Sequence, residues 1–501
     1  MSSSPTQVAH QLHHDFQKLI EYVTDAKSQS RTAYEVELTL FRSLLALGAQ
    51  LLHLFFIQRA ATRPQEPVYA ADGTRLRYQG LRRTTYFSVF GKVQFQRHYF
   101  HASGQEGVSP LDAELSLPPR CYSDLLRDWA EHCATTESYD ESIQVLKRIL
   151  DLSISKLALE SSVLEDAVDA DAFYEQKTVP SSDAEGSILV VQADGKGVPM
   201  VRPAPAPQLA RRGKGAKRTK KKEAIVTAIY TIEPYSRTPQ EVVDALLRDI
   251  DGDEQDLSTT DSHSPRPVPV GKETRATLEG KDAAFERLTQ RVTRREGEHI
   301  QHRVALTDGA EPLQRRVQDR LPNFTLVLDV IHASEYLWDA ANALMGETHP
   351  NRTAWVKEQL LQILSGKTAN VIQTLENHVR DPALSEPQRQ AMNTTIGYYR
   401  RNLSYMCYDQ CLSQGWPIGT GVVEGACGHL VKDRMERSGM RWTKLGAQAI
   451  LDLRAVRVND DWDEYQAFHH RRQHQRLYGH PSVTTSVPEL SALNQTHRVM
   501  A

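Results

Sequence analysis

The sequence predicts a mixed α/β core with flanking helices, preceded by helical and small β-rich modules. Three observations carry this prediction. Short apolar runs at Ser187–Ala193, Arg303–Thr307 and Phe324–Leu328 each stop at an aspartate (Asp194, Asp308 and Asp329), as strands of an α/β sheet do where a site lies. Helical periodicity fills the gaps between them. Before residue 184 the pattern differs: helical stretches lie on both sides of a single β-rich segment.

In chain order, Val8, Leu12, Phe16, Leu19 and Val23 recur at spacings of three and four, which predicts an amphipathic helix over 7–27. A second helix follows over about 33–58. Its stretch from Leu38 to Ile57 is long enough to test as a membrane span. Because it carries Arg42, Gln50 and His53, we read a buried helix of a helical domain, with no membrane partner. From Val68 to Phe100, TTYFSVF and KVQFQRHYF surround Gly91 and predict a hairpin or small sheet.

Helical period resumes after Pro119 and continues to about residue 178. There Ile143, Leu146, Ile149 and Leu150 predict one helix, Asp151-Leu152-Ser153 a turn, and Ser155 the cap of another. This is a possible helix-turn-helix. An ordinary helical pair fits equally well, because the second helix offers only Lys156 and a few serines and acids for base readout. Ala224–Ile232 and Thr274–Leu278 supply further strands, and 281–295 a helix. Residues 334–412 read as helical throughout, and a last helix starts near Thr420 and runs through LVKDRMERSGMRW.

With 25% charged and 40% hydrophobic residues, the 501-residue chain is neither collagen-like nor largely disordered. It has room for roughly two to four domains at about 150 residues each. A net charge of -3 does not by itself suggest a nucleic-acid partner. The charge is unevenly placed, however. RRGKGAKRTKKK brings Arg211, Arg212, Lys214, Lys217, Arg218, Lys220, Lys221 and Lys222 just after the Asp194 strand. A second group, Lys432, Arg434, Arg437, Arg441 and Lys444, follows Glu424. Such runs are usually solvated, but beside carboxylates they can hold a phosphate backbone. The acidic stretch Asp249 to Asp256 has Gly252 at the wrong place for a calcium hand.

Five cysteines in a chain this long predict reduced thiols in a cytoplasmic protein, and the first residues lack the pattern of a signal peptide. Cys407, Cys411, Cys427 and His429 are poorly spaced for zinc and read as core thiols and a bystander.

Asp194, Asp308 and Glu424 stand out by position: two follow strands and the third opens a helix after Gly419-Thr420-Gly421. Hard divalent ions take oxygen ligands, and a carboxylate triad gathered from distant segments can hold a pair of them for phosphodiester chemistry. Asp-Gly after a strand is also the ordinary way to turn a chain, and an acid in a first helical turn is also ordinary capping. Spacing alone does not choose between Asp308 and Asp329.

The strings VQADGKGVPM, AIYTIEPYSRTPQE, LTDGAEPL, LDVIHASEYLWDAA, WPIGTGVVEGACGHLVKDRMERSGMRWT and AQAILDLRAVRVNDDWD, with the basic run, make the chain resemble ISKra-type insertion-sequence transposases, relatives of Mutator-like enzymes. The resemblance is collinear from LLALGAQLL and YFSVFGKVQFQR to about residue 480. It implies a DDE transposase whose α/β ribonuclease-H-like core, a mixed sheet with flanking helices, is split by an all-α insertion. It matches Asp194, Asp308 and Glu424 to the three acids. Asp329 and His332 match a Cys/Asp-x-x-His signature with a supporting or DNA-positioning role.

The expected segments are 1–66 (helical), 67–105 (β-rich), 106–183 (helical), 184–346 (core), 347–416 (helical insertion), 417–460 (core with the third acid) and 461–501 (basic tail). Two Mg²⁺ (or Mn²⁺) ions are expected, with double-stranded DNA ends and target as partners and a homodimer on DNA. In the expected reaction water attacks the phosphodiester at the element's end, and the freed 3′-hydroxyl then attacks target DNA. Trp338 and Trp416 are candidates to stack on an unpaired base, though burial is the commoner fate of each. The alternatives are a catalytically inactive, DNA-binding relative and a ribonuclease-H-like nuclease that cleaves without joining.

Overall fold

The structure, a computed structural model, describes residues 4–25, 30–201, 221–248 and 265–479. The basic residues Arg211 to Lys220 and the acidic stretch 249–256 lie outside the described residues, as does 480–501. The chain divides into two compact units, residues 1–173 with 461–501, and residues 174–460.

The first unit opens with helices Pro5–Thr24 and Ala33–Arg59. Ser4 and Thr32 cap them in capping boxes completed by Gln7 and Glu35, which satisfy backbone donors that a bare helix start leaves open. The two helices form a hairpin in which Gln50 Nε2 donates to Asp15 Oδ2 at 3.0 Å. Strands β1 (Arg77–Ser88) and β2 (Gly91–His101) pair antiparallel around Gly91, as the sequence predicts. Phe56 stacks on Phe95 of β2 with ring centroids 4.2 Å apart. Val93, Leu111 and Leu117 complete this small core.

The expectation of a buried second helix is corrected. Only Leu47 and Phe56 of Ala33–Arg59 are buried, because the β-hairpin covers one face and the first helix another, leaving an apolar stripe open.

Further along, Ser138 caps Tyr139–Leu150, Asp151 turns the chain in the left-handed region at φ 54°, and Ser155 caps Lys156–Asp166. Ile149, expected on the apolar face, is exposed instead. On the second helix Leu157 is exposed and Lys156 is tied to Asp140 at 2.9 Å. Residues 461–479, expected as part of a basic tail, instead supply helix Trp462–Tyr478, which buries Tyr465, Gln466, His469 and Gln473 in this unit. Trp462 Nε1 donates to Asp128 Oδ1 at 2.6 Å.

The second unit is built on β3 (Ile188–Pro199), β4 (Lys221–Ile232), β5 (Val270–Thr277), β6 (His302–Thr307) and β7 (Thr325–Leu328), in the order β5-β4-β3-β6-β7. β3 pairs antiparallel with β4 and parallel with β6; β4–β5 is antiparallel and β6–β7 parallel. This mixed five-stranded sheet with many helices is compatible with a ribonuclease-H-like core. The strands read as apolar runs because both faces are covered. Ile188 and Val190 pack with helices from 330 to 412, while Leu189 and Val191 pack on helix Lys281–Arg295, whose Ala284, Phe285, Leu288 and Val292 lie on one stripe.

Three expectations about elements change here. β3 does not stop at Asp194. It runs on through Gly195 to Pro199, because β4 is long enough to pair Asp194 with Val226 and Pro199 with Lys221. The region 334–412 is broken by turns into Val330–Met345, Arg352–Leu364, Thr368–Val379, Glu386–Asn402 and Tyr408–Ser413. The helix after Thr420 does not reach Trp442: an α-turn Gly421–Ala426 gives way to a π-helical stretch, Cys427–Lys432, and ends near Met435.

The buried ion network of the first unit has a pH signature. His469 Nδ1 lies 2.8 Å from Asp169 Oδ2, and its Nε2 lies 3.1 Å from Asp166 Oδ1. Burial alone would lower the imidazole, but hydrogen bonds to the two carboxylates push it up to about 9. A raised value contributes stability that is complete below the unfolded value of 6.5 and is lost as pH rises through about 9. His469→Gln is therefore expected to lower the melting temperature in acid and to converge on the wild type in alkali; a difference independent of pH would contradict the charge assignment.

Candidate functional site

Strand geometry begins the site. Side chains alternate along β3, so Gln192 and Asp194 share the face of Ile188 and Val190. Ala193 pairs with Thr307 of parallel β6, which brings Asp308, the next residue, to the strand end beside Asp194. Asp308 Oδ1 accepts from Ala310 N at 2.9 Å, closing a turn. Its carbonyl accepts from Tyr398 Oη, also at 2.9 Å. Gly309 sits at φ 89°, and a Cβ there would come within 2.7 Å of that same hydroxyl, so glycine is required for the close approach.

Asp329 ends β7 and is fully buried. Its backbone N–H donates to Thr307 O at 2.9 Å. Oδ1 accepts from Thr420 N at 2.8 Å, and Oδ2 accepts from His332 N at 2.9 Å and lies 2.8 Å from His332 Nδ1. Burial would raise this carboxyl, but these bonds carry it below the usual carboxylate range. In return the Asp329 bond pushes His332 up to about 9 against the cost of its own burial. His332 is thus a cation, 3.7 Å from Glu424 Oε1.

Glu424 lies in the first turn of Gly421–Ala426, half-exposed. Thr420 stands at the N-cap, but its hydroxyl makes no capping bond; its carbonyl accepts from Glu424 N at 3.0 Å and its N–H is bound to Asp329. Gln192, buried, fixes this turn to β3: Oε1 accepts from Val423 N at 2.9 Å, and Nε2 donates to Gly419 O and Tyr230 Oη. Three residues after Glu424, Cys427 comes round to the same helix face and its Sγ donates to Asp194 Oδ2 at 3.1 Å.

Asp194 and Asp308 thus stand beside one another, on β3 and at the end of β6, and Glu424 lies in electrostatic range of Asp194, Asp329 and His332. The electrostatics record the crowding. Asp308 is raised by burial and then by Asp194; Glu424 is raised by burial and by Asp194, against the opposing pull of His332. Like charges held this close are relieved by a cation, and the all-oxygen set of Asp194, Asp308 and Glu424 suits a hard divalent ion. Among the described residues, the group whose ligand atoms all lie within 4.8 Å of one another is Asp329, His332 and Glu424, without Asp194 or Asp308, and this cluster could hold a metal. Asp329 is fully buried, with its oxygens bonded to Thr420 N and to His332, an arrangement that suits positioning.

Beside the acids a groove of about 1070 Å³ is lined by Tyr235, Arg237, Arg248, Arg266, Ile331 and Gly419. No protein-family model matches the chain, and no curated protein matches its sequence. Among solved structures the chain is similar to the Drosophila P element transposase strand transfer complex, at 10% identity and a TM-score of 0.24, over 70% of this chain and 81% of that one. A superposition that loose carries no argument about function.

The basic residues fare differently. Arg434, expected to bind DNA, is buried with its guanidinium over the Trp442 ring, 4.8 Å from the centroid, and is not offered to a phosphate. Lys432 and Arg441 are exposed, Arg437 is half-buried, Lys222 is half-buried, and Lys221 pairs with Glu436. Trp338 and Trp416 pack against the core of the second unit. Gln192 and Tyr398 are site residues that the sequence pattern does not single out. Gln192 has a signal, as the one polar side chain in the apolar run ILVVQA, whereas Tyr398 has none.

The Asp329–His332 pair is directly testable. Asp329→Asn keeps an acceptor for Thr420 but removes the charge, so the His332 imidazole, followed by NMR titration, is expected to fall from about 9 toward 6.5. A value that stays near 9 would assign the effect to Glu335 and Glu424 instead.

Proposed function

We propose that this chain is a DNA transposase of the DDE type, acting by metal-dependent hydrolysis at element ends and transfer of the 3′-hydroxyl to target DNA. The observation that supports this reading is the placement of Asp194 and Asp308 beside one another, on β3 and at the end of β6 in a sheet ordered β5-β4-β3-β6-β7, with Glu424 near enough to Asp194 to be raised by it. A divalent ion held by these three carboxylates would supply Lewis-acid activation of the phosphodiester.

The chain's own groups account for the rest. Asp329 and Gln192 fix the Glu424 turn against β3 and β7. Tyr398 fixes the Asp308 backbone. His332, cationic at the rim, offsets part of the negative charge that an approaching phosphate would otherwise meet. Arg237, Arg248 and Arg266 line the adjacent groove against Glu241 and Asp244, a small positive excess that suits a DNA backbone.

Asp194→Asn, Asp308→Asn and Glu424→Gln are each expected to abolish Mg²⁺-dependent cleavage of end-containing DNA while leaving DNA binding nearly intact. An active Asp308→Asn beside a dead Asp329→Asn would move the second acid to Asp329. Replacing the eight basic residues between Arg211 and Lys222 by alanine is expected to weaken DNA binding and flatten its salt dependence, by about 0.9 in slope for each phosphate that the run neutralises. An unchanged slope would leave that run without a role in DNA binding.

A further inference from the structure

Two thiols of the second unit have no part in the acid cluster. The sulfurs of Cys407 and Cys411 lie 3.9 Å apart at the start of helix Tyr408–Ser413. Cys407 is partly exposed, whereas Cys411 is fully buried. The hydrogen bond between them lowers Cys407 from the ordinary thiol range, and the same bond together with burial raises Cys411 well above it. An accessible sulfur held toward its thiolate, with a second thiol directly behind it, is the arrangement of an attacking and a resolving cysteine.

The surroundings connect this pair to the site. Tyr408, the residue after Cys407, is buried, and its Oη donates to Leu328 O at 2.9 Å, next to Asp329. The carbonyl of Cys411 accepts from Trp416 N at 2.8 Å, and Arg237 Nη2 donates to Trp416 O at 2.9 Å. One turn of helix thus ties the thiols to the end of β7 and to the wall of the groove.

We propose that Cys407 and Cys411 are a reversible modification site for small-molecule disulfides, which close the pair to an intramolecular bridge. The Cys407 thiolate attacks one sulfur of the small disulfide, whose S–S bond breaks and releases one small thiolate. The Cys411 thiol gives its proton to that thiolate and attacks Cys407 Sγ, expelling the second. Each cysteine loses one electron, and the small disulfide is reduced to two thiols that carry off the protons. Side chains four apart on a helix hold their Cβ atoms about 5–6 Å apart, whereas a bridge needs about 3.5–4.5 Å. Closure therefore draws in the first turn, and Tyr408 moves with it. A bridge made against such strain is easily reduced, so the pair stays as thiols until small disulfides accumulate.

The test uses the full chain without DNA or metal and is independent of the transposase reading. Glutathione disulfide is expected to remove two hydrogens from the intact mass, reversibly with dithiothreitol, and fragmentation to place the bridge between Cys407 and Cys411. Cys411→Ser is expected to retain glutathione on Cys407. Cys407→Ser, at a partly exposed position, is expected to give no bridge. Amide hydrogen exchange at 328–330 is expected to rise roughly tenfold on bridging, and to stay unchanged in Cys407→Ser treated alike. A wild type that keeps its hydrogens, remains glutathionylated or bridges to Cys427 overturns the proposal. Exchange that is indifferent to the bridge overturns its connection to the site.

Discussion

A carboxylate without water must find donors, because burying it alone costs several kcal/mol even after the protein relaxes. Asp329 meets this requirement with partners drawn from separate stretches of chain: the first turn of its own helix, the imidazole of His332, and the loop that delivers Glu424. Its backbone adds a link to Thr307, beside Asp308. The arrangement of the acids follows from this one solvation demand. The end of β7, the start of helix Val330–Met345 and the Gly419–Gly421 turn must sit where a single carboxylate can reach them all.

The crowding of the other acids has the opposite character. Asp194 disfavours the charged forms of Asp308 and Glu424, and His332 offsets part of this at both. Cys427 does not add to the crowding, since burial, followed by Asp194 itself, pushes the thiol far up and keeps it a neutral donor. Asp329 is satisfied within the protein and held below the usual carboxylate range, whereas Asp308 and Glu424 are held above it, and this contrast separates positioning from ligation among residues of the same chemical type.

Much of this is legible in the sequence. A strand covered on both faces is an unbroken apolar run, so Ser187–Ala193, Arg303–Thr307 and Phe324–Leu328 announce themselves and so do the acids that follow. The continuation of β3 is not legible, because Asp194-Gly195-Lys196-Gly197 reads as a turn until residues 221–226, far away in sequence, are seen to pair with it. Burial of Arg434 depends on Trp442, which helical periodicity places on the same helix and which the structure brings back to the Arg434 guanidinium through a bend. The open face of Ala33–Arg59 is hidden for a related reason: apolar composition reports a need for cover without saying which chain supplies it.

The helices between 330 and 413 are more than packing for one sheet face. Tyr398 and Arg401 donate to the carbonyls of Asp308 and Gly309, Tyr408 to that of Leu328, and Tyr399 to that of Ala333. All of these carbonyls belong to the backbone that carries or adjoins the second acid and Asp329. Helix Glu386–Asn402 braces the end of β6 through Asp308 and Gly309, while Tyr408 in the next helix braces the end of β7 at Leu328. Segments that carry no acid of the cluster thus anchor the backbone on which two of its acids stand, so a substitution there reaches the acids without touching them.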